Sequence, residues 1–150
     1  MTKKHTETID SKLKTAWQVV SRMYNAEAIL HDGTIAMAHF LLNIDSHEGS
    51  YASGIAPQLG MESTSLSRIV FSLEEKKLIQ RIPDKEDKRK IKIKLTQKGK
   101  AQKELAKNIV RNFNHIAEVK LGKDKLETFY KIVDEIIALA DERTKLIKGA

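Results

Sequence analysis

The stretch YASGIAPQLGMESTSLSRIVFSLEEKKLI, residues 51–79, decides which fold we expect for this chain. It predicts a short helix that closes at Gly60, a three-residue turn, and a second helix for which Ser63 is a candidate N-cap. Apolar residues at three- and four-residue steps predict one buried stripe on the second helix, made of Leu66, Ile69, Val70 and Leu73. Two short helices joined by a glycine-containing turn form a helix-turn-helix.

The opposite face of the second helix is small, hydroxylated and basic in its N-terminal half. Thr64, Arg68 and Glu75 are expected to point outward, with Ser65 and Ser67 on the flanks. Short hydroxyl side chains allow a helix to sit deep in the major groove of DNA, and arginine can bind guanine through two donors. A plain solvated helix face has the same composition, so DNA contact and simple solvent exposure both remain open at this point.

A basic hairpin follows the helix-turn-helix directly. Residues 78–82 (LIQRI) and 91–95 (IKIKL) predict two antiparallel strands, and residues 83–90 (PDKEDKRK) predict the turn between them. The two-residue period of a strand places the isoleucines and the leucine of the second strand toward the core and its two lysines outward. A hairpin in this position, next to a helix-turn-helix, is a wing.

The net charge of +7 is concentrated in one part of the 150-residue chain. Between Lys85 and Lys103 nine basic residues stand against two acids, Glu86 and Asp87, which leaves the remainder of the chain formally neutral. Charge concentrated in this way indicates a polyanionic partner, either nucleic acid or an anionic membrane surface. The basic residues of the turn itself are Lys85, Lys88, Arg89 and Lys90.

Long amphipathic helices flank the central part of the chain on both sides. Apolar residues at helical spacing predict helices over about 9–30, 97–119 and 123–147. Thr34 and Thr96 are candidate N-caps of an apolar second helix and of the fifth helix. The predicted fold class is therefore mainly α with a small β-hairpin wing, in one domain. The apolar faces of three long helices predict a homodimer, because a chain of this size cannot cover them alone.

In this order, these motifs resemble the MarR (multiple antibiotic resistance regulator) family of winged-helix transcription factors. Each motif is short, and it is their common order and spacing that makes the resemblance specific. The resembling features are an LA-x-x-LG type helix (Ile55–Gly60), the Ser67 and Arg68 pair, an LE-x-K segment (Leu73–Lys76), a D-x-x-D-x-R wing signature (Asp84, Asp87 and Arg89) and an LT-x-x-G helix start (Leu95–Gly99).

The resemblance implies a winged-helix DNA-binding lobe over about 34–96 and dimerisation helices over 9–30 and 97–147. It implies a homodimer that binds a pseudo-palindromic operator in double-stranded DNA, as a repressor released by a small ligand. Two positions depart from the family pattern. Lys77 stands where the family usually has a glycine in a left-handed cap, and Pro57 lies late in the first helix of the motif.

The resemblance also implies roles for individual residues. The second helix of the helix-turn-helix would contact DNA through Ser63, Thr64, Ser65, Ser67 and Arg68. In the wing, Arg89 would reach the minor groove while the lysines flank the phosphates. Asp84, and with it Asp87, would orient the arginine rather than contact DNA.

Four residues are candidates for a pocket that would bind a small aromatic or phenolic effector: Trp17, Tyr24, His39 and Asn43. Core packing is the alternative interpretation for each of them. A zinc site is disfavoured because His115 has no second histidine at helical spacing, and no cofactor is expected.

Several functional classes are disfavoured by what the sequence lacks. It has no cysteine, no Ser-His-Asp order and no glycine-rich phosphate loop, so we expect no enzyme. No run approaches the roughly 18 apolar residues of a membrane span, so a cytoplasmic protein is expected. The leading hypothesis is a sequence-specific DNA-binding regulator. The alternative is a basic protein that binds nucleic acid or an anionic surface without sequence preference.

Overall fold

The computed structural model describes residues 7–149 and shows a mainly helical chain with one small sheet. The helices are α1 (Ile9–Leu30), α2 (Ile35–Leu42), α3 (Ala52–Leu59), α4 (Ser63–Glu75), α5 (Gln97–Leu121) and α6 (Lys123–Lys148). The strands are β1 (Ser50–Tyr51), β2 (Ile79–Pro83) and β3 (Ile91–Leu95). The predicted fold class is confirmed. The chain divides into two compact units, of which the first ends at Ile109 and the second begins at Val110.

Side-chain caps fix two of the predicted helix starts. The Thr34 hydroxyl accepts a hydrogen bond from the Met37 N–H at 3.2 Å, and the Thr96 hydroxyl accepts one from the Gly99 N–H at 3.0 Å. The predicted cap at Ser63 is wrong. Glu62 has the extended backbone of the N-cap position and makes no capping bond with its side chain, so Ser63 is already the first residue of α4.

The core of the first unit surrounds α2, the helix that the sequence predicts to be apolar nearly all round. Its fully buried side chains come from α2, the following loop, α3, α4 and β3: Phe40, Ile44, Ile55, Leu73 and Ile93. The predicted stripe on α4 packs against this cluster, with Val70 and Leu73 buried and Leu66 and Ile69 half-buried. Burial of α4 on one face fixes which of its side chains point away from the protein.

The sheet has the strand order β1-β3-β2 and is antiparallel throughout. The predicted hairpin is confirmed, with β2 displaced by one residue from the predicted range. The Asp84 N–H donates to the Lys90 carbonyl at 3.0 Å and so closes the turn of the wing. The short strand β1 was not predicted. It pairs Ser50 with Ile93 and Tyr51 with Lys92, and thereby joins the sheet to the start of α3.

The backbone adopts the left-handed conformation where the family pattern has glycine. Lys77, directly after α4, has a φ of 58°. A side chain at this position costs about 1 kcal/mol relative to glycine. Pro57 disturbs α3 little, because its missing hydrogen bond would go to Ser53, the second residue of that helix. Both departures from the family pattern are therefore compatible with an intact helix-turn-helix.

The second unit contains the end of α5 and the whole of α6. Gly122 separates the two helices with a φ of 87°, a conformation that favours glycine. Large apolar side chains on this unit remain exposed on the single chain: Ile116, Val119, Leu121, Phe129, Tyr130, Ile132, Ile137, Leu139, Leu146 and Ile147. An apolar surface of this extent indicates a partner.

Candidate nucleic-acid interface

The outward face of α4 carries polar side chains that the protein itself does not use. Ser63, Thr64, Ser65 and Arg68 are exposed, and within residues 7–149 their side chains have no hydrogen-bond partner. The Ser67 hydroxyl donates to the Ser63 carbonyl at 3.0 Å and keeps its own oxygen as an acceptor. The structure thus brings all five predicted residues to one exposed helix surface. They offer donors and acceptors to a polar partner such as the edge of a base pair or a phosphate.

Ion pairs fix the C-terminal end of α4 to the rest of the first unit. The Arg81 guanidinium of β2 binds the Glu74 carboxylate, with Nε at 2.8 Å from Oε2. The Lys76 ammonium lies 2.7 Å from the Asp32 carboxylate, in the turn after α1. Neither contact was predicted, because no local sequence pattern indicates them and the paired residues are brought together only by the tertiary fold.

The two aspartates of the wing bind its backbone and not the side chain of Arg89. One oxygen of Asp84 accepts from the N–H groups of Glu86 and Asp87 at 2.9 and 3.0 Å. Asp87 accepts from the Arg89 N–H at 3.0 Å. Within the described part of the chain, neither carboxylate forms an ion pair with the Arg89 guanidinium. The structure therefore brings both aspartates together in the turn, where they fix the backbone that carries Arg89.

The second oxygen of Asp84 accepts a hydrogen bond from the Tyr51 hydroxyl at 2.5 Å. This bond, together with the two backbone N–H donors, lowers the pKa of Asp84 to about 2. Asp84 is therefore ionised at neutral pH. Sequence reasoning missed Tyr51, since it stands in a two-residue strand that is too short to show a periodic pattern.

The basic side chains of the wing are all exposed. Within residues 7–149, Lys85, Lys88, Arg89 and Lys90 have no salt bridge, so their positive charge faces outward. Lys103, which the sequence analysis placed in the same charge cluster, lies elsewhere. It is only 7% exposed, its ammonium donates to the Ile44 carbonyl, and burial lowers its pKa. Its inclusion in the outward-facing charge was therefore wrong.

The four candidate effector residues take different places in the first unit. The rings of Trp17 and His39 stack, with centroids 6.1 Å apart and planes 22° apart. Burial lowers the pKa of His39 and raises that of Tyr24. Asn43 is the C-cap of α2, and its amide donates to the His39 carbonyl at 2.8 Å. Asn43 is thereby committed to the helix end.

A cavity of about 490 Å³ lies beside the aromatic stack, on the surface of α1. Trp17, Gln18, Ser21 and Arg22 line it, and they combine one aromatic ring, one cation and two further polar side chains. The Ser21 hydroxyl is buried, and it has no hydrogen-bond partner among the described residues. Buried hydroxyls are normally hydrogen-bonded, so this one is suited to a polar atom of a bound molecule.

Residues 7–149 contain no group of three or more His, Asp or Glu side chains arranged to hold a metal ion. None of their helices is both long enough and apolar enough to span a membrane.

Comparison with known proteins gives one family and many similar structures. The MarR family model matches residues 34–91, which cover α2 to the start of β3. The S. aureus MepR–DNA complex superposes with a TM-score of 0.80 at 21% identity, over 88% of this chain and 98% of MepR. The transcriptional regulator SlyA superposes with a TM-score of 0.80 at 18% identity, over 94% of this chain and 99% of SlyA. S. pneumoniae FabT in complex with DNA superposes with a TM-score of 0.76 at 17% identity, over 89% of this chain and 96% of FabT. A search of curated proteins gave no match.

Proposed function

Since this chain is a winged-helix protein of the MarR family, we propose that it binds a pseudo-palindromic operator as a homodimer and represses transcription from it. Members of this family are transcription regulators and not enzymes. MepR and FabT were solved bound to DNA, and their fold is the one seen here. In the proposed complex, α4 enters the major groove and the wing follows the adjacent minor groove, with the winged-helix lobe over about 34–96 as the DNA-binding part.

One observation carries this proposal: the polar side chains of α4 and the basic side chains of the wing are exposed, while two of the three acids of the wing, Asp84 and Asp87, accept hydrogen bonds within the protein. Asp84 and Asp87 have their carboxylates occupied by N–H and O–H donors. The four basic residues of the turn outnumber its three acids, and Lys92 and Lys94 of β3 add two further positive charges, so the wing carries a net positive charge. Positive charge attracts the phosphates, and the donors and acceptors of α4 supply contacts that can distinguish base pairs.

A homodimer is proposed because both units leave large apolar side chains exposed. On α1 these include Trp17, which is 56% exposed, and Leu30, which is 77% exposed. Helices 9–30 and 97–147 are the proposed dimerisation elements. Sedimentation at micromolar concentration should give twice the 17.0 kDa mass of the chain. A stable 17.0 kDa species would contradict the dimer and, with it, a two-fold symmetric operator.

Release by a small aromatic or phenolic anion is the proposed form of regulation. It is supported by the cavity at Trp17, where Arg22 supplies a cation and Ser21 an unused hydroxyl. Trp17 is the only tryptophan of the chain, so the tryptophan fluorescence comes entirely from a side chain that lines this cavity. Hydroxybenzoate should change that fluorescence and weaken operator binding over the same concentration range, whereas Ser21→Val should reduce both effects. A fluorescence change without any effect on DNA binding would contradict the regulatory role.

A further inference from the structure

The side chain of Tyr51, which lies outside the hairpin, forms a hydrogen bond to the turn of the wing. Its hydroxyl donates to Asp84 at 2.5 Å, across a separation of 33 residues. The Lys92 ammonium lies 5.8 Å from the centre of the Tyr51 ring, over its face, and the two residues are paired in the sheet. The ring and the hydroxyl of Tyr51 thus contact β3 and the start of the turn at the same time.

Asp84 connects this tyrosine to the shape of the turn. Its other carboxylate oxygen accepts from two consecutive backbone N–H groups, those of Glu86 and Asp87. Its own N–H closes the hairpin onto Lys90, directly after Arg89. A rotation of the Asp84 side chain would break its bonds to the N–H groups of Glu86 and Asp87, which shape the turn that carries the arginine. The hydroxyl of Tyr51 opposes that rotation, since it donates to the second carboxylate oxygen of Asp84, which accepts no bond from the turn's backbone.

The charge states of the pair keep this bond in place over the ordinary pH range. Three hydrogen bonds hold the pKa of Asp84 near 2, so the carboxylate is always an acceptor. The bond to Asp84 raises the pKa of Tyr51, so its hydroxyl remains a donor. Neither partner changes its role between acidic and mildly alkaline conditions.

The same tyrosine stands at the N-cap position of α3, the first helix of the helix-turn-helix. Its backbone is part of β1, and β1 pairs with β3. The hydroxyl therefore connects the wing turn to the residue from which the helix-turn-helix begins. A fixed distance between these two parts matters for a protein that must place a helix and a wing in neighbouring grooves at once.

We propose that Tyr51 is a positioning residue for DNA binding, which holds Asp84 so that the wing presents Arg89 at a fixed place relative to α4. The inference rests on the proposed DNA-binding function and deepens it. In this proposal Asp84 does not pair directly with Arg89. Asp84 binds the backbone of the turn that carries Arg89, and Tyr51 holds Asp84 in place through a hydrogen bond.

Tyr51→Phe tests the inference, because it removes one oxygen and leaves the ring over Lys92. On a selected operator duplex this variant should bind about three- to tenfold more weakly, the range expected for one hydrogen bond. In an Arg89→Ala background the same change should have less than about a twofold effect, since the group that it positions is gone. Hydroxyl-radical protection of the deoxyriboses beside the wing should fall, while protection of the sugar-phosphate backbone that flanks α4 persists.

Two variants at acids of the turn separate positioning from simple electrostatics. Asp84→Ala should weaken binding even though it removes a negative charge from a surface that faces DNA. Glu86→Ala removes the same charge two residues away, where the side chain has no hydrogen bond within the described residues, and it should bind equally well or more tightly. Tighter binding by Asp84→Ala would overturn the inference, since the acid would then act only through its charge.

Amide hydrogen exchange of the protein without DNA tests the role of Tyr51 in the wing independently of whether the protein binds an operator. The N–H groups of Glu86 and Asp87 should exchange faster in Tyr51→Phe than in the unaltered protein. Unchanged exchange would overturn the inference whatever happens with DNA. Faster exchange with unaltered operator affinity would overturn the positioning role. Faster exchange in a protein that prefers no DNA sequence would support the contact between Tyr51 and Asp84 and contradict the proposed function.

Discussion

Replacing Gly99 by alanine is expected to destabilise the protein by about 3 kcal/mol, because α5 begins against a backbone carbonyl that cannot move away. A Cβ at this position would lie 1.9 Å from the Leu78 carbonyl oxygen and 3.3 Å from a methyl group of Leu95. The same carbonyl accepts a hydrogen bond from the Thr96 N–H at 3.0 Å, and the Thr96 hydroxyl donates to the preceding Lys77 carbonyl at 2.8 Å. A shift of the Leu78 carbonyl large enough to relieve the clash would break the bond from the Thr96 N–H.

Urea unfolding measures the stability that Gly99→Ala loses, and Gly54→Ala is the matched control variant. Gly54 lies inside α3, and a Cβ there would meet nothing within 4 Å. In a helix interior, alanine is favoured over glycine by roughly 0.5 to 1 kcal/mol, so the control should unfold at a higher urea concentration. Equal stability of Gly99→Ala and the unaltered protein would contradict the close approach of α5 to Leu78.

Replacing Arg68 by alanine is expected to cost roughly 1 to 3 kcal/mol of operator binding, the range for a side chain that contacts a base through two donors. Arg68 is exposed on α4, one helical turn after Thr64, and no described residue binds its side chain. Its full donor set is therefore available for DNA. The loss should be larger on the operator than on a scrambled duplex, because a base contact contributes only where the correct base is present.

Titration of both duplexes at one salt concentration checks this expectation. Arg143→Ala removes the same side chain from an exposed position on α6, and with sedimentation confirming that it is as dimeric as the unaltered protein, it should change neither affinity. If Arg68→Ala lowered both affinities equally, Arg68 would be a phosphate contact and another residue of α4 would have to read the sequence.

The features that the sequence predicted correctly depend on neighbours within a few residues. Thr34 and Thr96 cap helices by bonding the N–H three residues ahead, and the alternation of IKIKL needs only the two-residue period of a strand. Patterns of this kind are visible in the sequence itself. They were enough to predict the helix-turn-helix and the hairpin, and so the surface that we propose for a polyanion.

The features that could not be predicted depend on which distant residues the fold brings together. Lys103 belongs to a basic run in the sequence, but α5 turns it inward onto the Ile44 carbonyl. Asp84 belongs to a motif that resembles an arginine-orienting one, but its free oxygen is taken by Tyr51, 33 residues earlier. Neither contact leaves a local pattern, since each requires two separate elements to be packed first.

Selection from a random pool of duplexes would show whether this chain reads a DNA sequence as a symmetric dimer. The unaltered protein is incubated with random duplexes at near-physiological salt, and the bound fraction is amplified and sequenced over several rounds. A symmetric dimer should enrich one inverted repeat whose half-sites lie about one helical turn apart, one for each α4. A bound pool as random as the starting pool, with affinity that falls steeply with salt, would contradict sequence-specific binding, because the wing would then act only as a basic patch.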